Sequence, residues 1–292
     1  VLAAPPGSGK TTVVPLALLD QPWLANKKIL ILEPRRLAAR AAAARMAALL
    51  GEQIGQTVGY QIRFDRRIGP QTRIEVLTEG ILTRRLQTDA TLADVGLIIF
   101  DEFHERSIHA DLGLSLCLDF CQLKDDLRLL VMSATLDAEP LAKLLGNAPV
   151  LTGKGSQFEV RIEYLQREPR GRIAEITAAG VRQVVREQQG DILVFLPGAG
   201  EIREVHNLLR DDPVCRTLVI APLFGDLAQK EQDRALLPDP DERRRIILAT
   251  SIAETSLTIE GVGCVVDSGW SRLPSFDPGS GLGKLNTVRV SR

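Results

Sequence analysis

Short apolar runs alternate with longer amphipathic stretches along this chain, and that rhythm sets the first expectations. Runs such as Lys28 to Leu32, Arg73 to Leu77, Gly96 to Phe100 and Leu129 to Met132 predict strands covered on both faces. A second series follows at Asp191 to Leu196, Thr217 to Ala221, Arg245 to Ala249 and Val262 to Asp267. Between them, Leu37 to Leu50 is rich in Ala and Arg and predicts a helix, as does the shorter Gly80 to Gln87. Ile108 to Cys121, Ala138 to Leu145, Ile173 to Gln188 and Glu201 to Leu209 carry the same helical spacing. Such alternation argues for an α/β fold in which parallel sheets are flanked by helices.

The rhythm breaks at Leu151 to Ser156, where Leu-Thr-Gly-Lys-Gly-Ser suits a connector. The expected division is a first lobe over 1–152, a linker at 153–156 and a second lobe over 157–292, with a strand-then-helix pattern restarting from Val160. The length of 292 residues agrees with two domains of roughly 150 each. Both ends read as cut. Val1 to Ala3 resembles the tail of a strand, and Arg292 carries no stop signal, so a fragment is expected.

Composition narrows the classes. With 36 basic and 37 acidic side chains the net charge is -1, so any nucleic-acid contact has to come from a local patch. Hydrophobic content of 45% with 25% charged excludes disorder as the main state. Aromatics at 4% argue against a surface built mainly on base stacking. No apolar run approaches the roughly 18–20 residues of a membrane span, so no membrane association is expected. The four cysteines form no CxxC pair, and Cys117 and Cys121 read as buried thiols on one helix face. A reduced, cytoplasmic protein is the expectation.

The sharpest local signal is Ala4-Pro5-Pro6-Gly7-Ser8-Gly9-Lys10-Thr11-Thr12, a P-loop pattern with Ala4 in place of the first glycine. Such a loop needs Gly7 and Gly9 because its N–H groups converge on phosphate oxygens, where a Cβ would intrude. Gly7, Ser8, Gly9, Lys10, Thr11 and Thr12 are the expected nucleotide-binding residues; Lys10 would reach the terminal phosphates and Thr11 would ligate Mg²⁺. Val95 to Phe100 then leads into Asp101-Glu102, a buried strand ending in two carboxylates. Asp101 would complete the Mg²⁺ shell, and Glu102 would orient and deprotonate an attacking water. Strand-end acids are common, but a P-loop upstream at domain-scale distance gives this pair a partner.

Other motifs fail their tests. His104 and His109 lie five apart, about 500° round a helix at about 100° per residue, so they diverge and no zinc protease is indicated. Gly279, Gly281 and Gly283 follow no strand and read as turn glycines, and no G-x-S-x-G elbow occurs. Arg243-Arg244-Arg245 reads as a solvated strand entry, and Trp23 and Trp270 as packing residues.

Asp101-Glu102-Phe103-His104 resembles motif II of the superfamily 2 DEAH-box helicases, with Phe103 where most members carry alanine. Leu32-Glu33-Pro34-Arg35-Arg36 is similar to motif Ia, Thr78-Glu79-Gly80 to motif Ib and Ser133-Ala134-Thr135 to motif III. Leu193 to Gly198 resembles motif IV. Thr250 to Thr258 resembles motif V, with Ser251 where asparagine is frequent, and Gly269 to Leu285 resembles the β-hairpin that follows it. Phe103 together with Glu33 to Arg40 points to the bacterial HrpB branch. Motif VI, which supplies arginine fingers, would follow Ser291, so weak turnover is expected of this chain.

The resemblance implies two tandem RecA-like lobes, a P-loop NTPase that binds ATP and Mg²⁺ between them, and a β-hairpin in the second lobe. It implies catalytic roles for Lys10, Asp101, Glu102 and His104, and coupling roles for Ser133, Thr135 and Ser256. Single-stranded RNA or DNA would be held by Arg35, Arg36, Thr78 and Thr250 through sequence-tolerant, salt-sensitive backbone contacts, with movement 3′ to 5′. A monomer is expected. In isolation Arg35 and Arg36 could equally start a helix, and the serines and threonines could be ordinary turn residues; only their order raises them. The alternative function is a nucleotide-gated nucleic-acid clamp with little turnover, and a P-loop ATPase acting on protein is a third.

Overall fold

The computed structural model describes residues 1–88, 92–134, 138–155, 159–165, 170–254 and 259–290. Its backbone divides into two compact units, Val1–Val160 and Arg161–Arg292. Among the described residues no helix is long and apolar enough to cross a membrane.

In the first unit the order is β1 (Leu2–Ala3), α1 (Lys10–Leu18), β2 (Lys28–Glu33), α2 (Arg36–Leu49), β3 (Val58–Ile62), β4 (Asp65–Arg67) and β5 (Ile74–Thr78). There follow α3 (Glu79–Thr88), β6 (Val95–Phe100), α4 (Ile108–Leu123), β7 (Arg128–Ser133), α5 (Glu139–Leu144) and β8 (Leu151–Thr152). Eight strands form one sheet in the order β4-β3-β5-β2-β6-β7-β1-β8. All pairings are parallel except β3 with β4. Strand β2 shows why its run is continuously apolar. Ile29 and Ile31 pack with Ala39, Ala43 and Met46 of α2 on one face. Leu30 and Leu32 pack with Leu82 of α3 and Leu114 of α4 on the other. Helices on both faces leave no polar side to the strand.

The second unit runs α6 (Ile173–Glu187), β9 (Asp191–Phe195), α7 (Ala199–Arg210), β10 (Val219–Leu223), α8 (Gln229–Leu236), β11 (Arg245–Ala249) and β12 (Val262–Asp267). A hairpin, β13 (Trp270–Asp277) with β14 (Leu282–Arg289), follows. Its four-stranded sheet, β10-β11-β9-β12, is parallel throughout. Ala174, Ala178 and Val181 of α6 and Ile202, Val205 and Leu209 of α7 close its core over Ile192, Val194, Ile246 and Leu248. Two α/β units with parallel sheets match the architecture of two RecA-like lobes.

Three expectations change. The stretch restarting at Val160 is no strand: residues 159–165 lie outside any sheet among the described residues, and Val160, Ile162 and Tyr164 are exposed. Gly153 and Gly155, read as connector, pack on the first unit. The Gly153 N–H donates to the Ala3 carbonyl at 2.8 Å, and a Cβ on Gly155 would stand 2.5 Å from Pro5 Cγ. The division between units falls after them, at Val160. Arg245, read as a solvated residue, is buried.

Candidate functional site

Because the strands of the first sheet are parallel, the residues just past β3, β5, β2, β6, β7 and β1 share one edge, in that spatial order. The loop after β1 turns through Gly7 (φ 74°) and Gly9 (φ 80°), in the left-handed region that glycine adopts without penalty. Space beyond Gly7 is open to at least 4 Å where a Cβ would sit. Gly9 caps α1, so the first N–H groups of that helix face the loop. Gly7 and Ser8 are exposed, Gly9, Thr11 and Thr12 are half-buried, and Lys10 is buried.

Lys10 Nζ stands 3.1 Å from Glu102 Oε1, and Thr11 Oγ1 donates to Asp101 Oδ2 at 2.5 Å. P-loop and acidic pair, distant in sequence, therefore meet. The Glu102 N–H donates to Asp101 Oδ1 at 2.8 Å, which orients that carboxylate. Burial pushes the Asp101 carboxyl above its usual range; the Thr11 hydroxyl pulls it back and the Glu102 charge pushes it up again. His104 Nδ1 lies 3.3 Å from Glu102 Oε2 and accepts from the Ala134 N–H at 3.3 Å. The turn after β6 is thereby tied to the end of β7, where Ser133 is buried. Thr135 and Ser256 lie outside the described residues.

Glu33 carries no such mark in the sequence. It ends β2 with 1% exposure, and its Oε2 has no hydrogen-bond partner among the described residues. Burial, then the Asp101 charge and hydrogen bond, then Glu102 and Glu105, push its carboxyl well above the ordinary range. The sequence shows only an acid at a strand end; no signal there reveals that it is enclosed.

Beside this cluster, Arg35 caps the start of α2 and pairs with Glu105 at 3.4 Å, while Arg36 is exposed. Thr78 ends β5 half-buried, and Glu79 accepts from Ser107 Oγ at 2.6 Å. Ser107 in turn caps α4 by accepting from the Ala110 N–H. At the end of β3 a two-residue turn carries Arg63 and Phe64. Phe64 is 89% exposed with φ 69°, and the Arg63 guanidinium lies 4.7 Å from its ring centroid. An exposed aromatic among arginines (Arg63-Phe64-Asp65-Arg66-Arg67) was the signal available for this feature. In the second unit Thr250 follows β11 and begins a short 3₁₀ turn.

The arrangement suits a magnesium triphosphate. Mg²⁺ prefers hard oxygen donors and takes one or two carboxylates together with substrate phosphates. Thr11 and Asp101 are such donors. Among the described residues no group of three or more His, Cys, Asp or Glu is placed to hold a metal ion. Glycine-lined N–H groups and Lys10 supply the anion side.

Residues 1–144 match the DEAD/DEAH box helicase family, and residues 176–277 match the helicase conserved C-terminal domain. The whole chain is 49% identical to the ATP-dependent RNA helicase HrpB of Escherichia coli (strain K12) and 34% identical to the ATP-dependent RNA helicase HrpA of Borreliella burgdorferi, spanning 36% of each. The crystal structure of Escherichia coli DEAH/RHA helicase HrpB superimposes with a TM-score of 0.87, covering 99% of this chain and 37% of that one. A crystal structure of the E. coli DExH-box NTPase HrpB gives 0.75, with coverage of 99% and 36%. The chain thus spans about a third of the length of these relatives.

Proposed function

This chain belongs to the DEAD/DEAH box helicases, in their HrpB-type branch, and from that membership we propose that it couples ATP hydrolysis to movement along a single nucleic-acid strand. RNA is the proposed strand, the movement 3′ to 5′ and the setting cytoplasmic. One observation carries the reading: Lys10 and Thr11 of the glycine loop touch Glu102 and Asp101.

In this reading Lys10 and the start of α1 hold the phosphates, while Thr11 and Asp101 hold Mg²⁺. When bound, Mg²⁺ would neutralise charge on the phosphate oxygens. Glu102 accepts the proton of the attacking water. Its backbone is left-handed (φ 47°), a strained conformation for a glutamate that a functional position can justify. His104 links that residue to the backbone after Ser133, so a change at the carboxylates is transmitted to β7. Thr135 and Ser256 are proposed to share this coupling. Arg35, Arg36 and Thr78 hold the strand's phosphates and sugars, and Thr250 is likewise proposed as a nucleic-acid contact. Arg63 and Phe64 extend the edge past Thr78, the ring offering a base a stacking face.

Phosphate release titrated with single-stranded RNA and with single-stranded DNA, at two salt concentrations, tests this. Stimulation by the strand that weakens at high salt is expected; release indifferent to both strands would reject the motor and leave the nucleotide-gated clamp. Glu102→Gln should keep ATP binding and lose turnover by ~10²- to 10⁴-fold, the usual weight of a general base.

A further inference from the structure

The turn that follows the acidic pair is unusually constrained. Glu102 (φ 47°) and Arg106 (φ 49°) are both left-handed, and they bracket the single 3₁₀ turn Phe103–Glu105. Phe103 is buried and sets its ring edge-on to Phe100 at 6.2 Å, which pins the turn to the end of β6. Glu105 is therefore held in one place, and its carboxylate reaches across to Arg35 at the end of the neighbouring strand β2.

The pair is loose. At 3.4 Å it is longer than the roughly 2.7–2.9 Å of a strong charge-assisted bond. Both partners are partly solvated, at 31% and 18% exposure for Arg35 and Glu105. A phosphate oxygen could take the guanidinium from such a carboxylate. Glu105 is also close enough to the acid cluster for its charge to act on Glu33, as do those of Asp101 and Glu102. Four carboxylates thus share one neighbourhood, in which Lys10 pairs with Glu102 and Arg35 with Glu105.

We propose that Glu105 is a positioning residue that occupies Arg35 in place of a strand phosphate, and that the exchange of this partner couples strand binding to nucleotide binding. The inference rests on the helicase reading above. When a phosphate takes Arg35, the Glu105 charge loses that counter-ion, and the field around Glu33 and Asp101 becomes more negative. A magnesium-bearing nucleotide is still a net anion, so a site with more negative potential holds it less tightly. Linkage makes the effect reciprocal: the nucleotide must lower strand affinity by the same factor.

The test measures binding of labelled single-stranded oligouridine by fluorescence anisotropy, with and without Mg²⁺ and a non-hydrolysable ATP analogue. In the unmodified protein the nucleotide should weaken strand binding about fivefold or more, the lower bound of typical coupling. Glu105→Gln keeps the shape and removes the charge. It should bind the strand several-fold more tightly without nucleotide, and the ratio between the two conditions should fall toward one. In an Arg35→Ala background the same substitution should change nothing, because the guanidinium it acts through is gone. An unchanged ratio in Glu105→Gln overturns the inference, and so does an effect that survives loss of Arg35. Should Glu105→Gln fail to fold, Glu105→Asp retains the charge on a shorter arm. It should shift strand affinity in the same direction by less, and no shift overturns the proposal. If the unmodified protein binds neither strand nor nucleotide, the helicase reading itself falls and takes this inference with it; if it binds both, only the role of Glu105 is at stake.

Discussion

Each unit buries an ion pair, and the two pairs are built to different ends. In the second unit Arg245 is 2% exposed and fully engaged. Its Nε donates to Asp191 Oδ2 at 2.7 Å and its own backbone N–H to Asp191 Oδ1 at 2.7 Å. Its remaining donors reach the carbonyls of Ala235, Leu237 and Glu260. In the first unit Lys10 meets Glu102 in a cluster where Asp101 is pushed up by burial, Glu33 keeps a buried oxygen without a partner among the described residues, and the backbone at Glu102 is left-handed. A buried charge with every donor answered locks a fold together; one set among unanswered acids is kept ready for a ligand. Position agrees with this division. Arg245 and Asp191 start their strands, whereas Glu33, Asp101 and Glu102 stand at strand ends, where α/β sheets bind ligands.

The comparison can be broken by removing one cation from each pair. Arg245→Met strands Asp191 and leaves three carbonyls unanswered, so we expect a loss of about 3–5 kcal/mol in urea unfolding. Lys10→Met should lose only roughly 1 kcal/mol, since Glu102 sits in a turn at the sheet's edge, while nucleotide affinity collapses. Equal stability losses would mean that the two pairs do the same job.

Glu33 sharpens the contrast through pH. Its folded pKa is raised, so the native state holds a proton that the unfolded chain releases once pH passes the ordinary glutamate range. The stability it supports is whole below that range and declines as pH rises toward the folded value, by about 1.4 kcal/mol for every pH step of one between the two. Glu33→Gln, which cannot ionise, should therefore gain stability over the unmodified protein at pH 8 and not at pH 4. A gain independent of pH would show that burial of the carboxylate does not govern this strand end.

The smallest effect concerns the backbone that leaves β8. A Cβ on Gly155 would press on the Pro5 ring at the base of the phosphate loop. Gly155→Ala should cost about 1 kcal/mol in thermal unfolding and weaken nucleotide binding measurably. Unaltered nucleotide affinity would show that the loop's base tolerates the shift.

What could be read from the sequence followed what side chains report about their own burial. β2, β6 and β11 are apolar on both faces and stood out at once; β11 and β12 appear over the expected residues. β10 runs two residues later than expected because Pro222, which would disfavour a central strand, is tolerated at the sheet's edge. β3 and β4 gave little signal: Gly59 interrupts the first, needed there because the Arg67 backbone passes close by. α8 offers only Gln232 and Ala235 to the interior, too few for a stripe. Val160, Ile162 and Tyr164 alternate as a strand would, yet alternation cannot supply a pairing edge. At the site, the meeting of Lys10 and Thr11 with Glu102 and Asp101 could be expected, because the chemistry of phosphate binding would constrain residue types and spacing together. The burial of Glu33 and Arg245 could not, because whether a charge is enclosed depends on neighbours brought in from elsewhere.

The end of β2 has a practical corollary for anyone seeking to re-engineer strand preference. Glu33 turns inward among the carboxylates, and only Pro34 separates it from Arg35 and Arg36, so under the proposed function one tetrapeptide would serve both ligands. A library randomised over these four positions would tangle the two properties, yielding few clones altered in one alone. Diversity placed instead at Arg63 and Phe64, two strands away on the same rim, leaves the acid cluster untouched and is the cleaner starting material for such a selection.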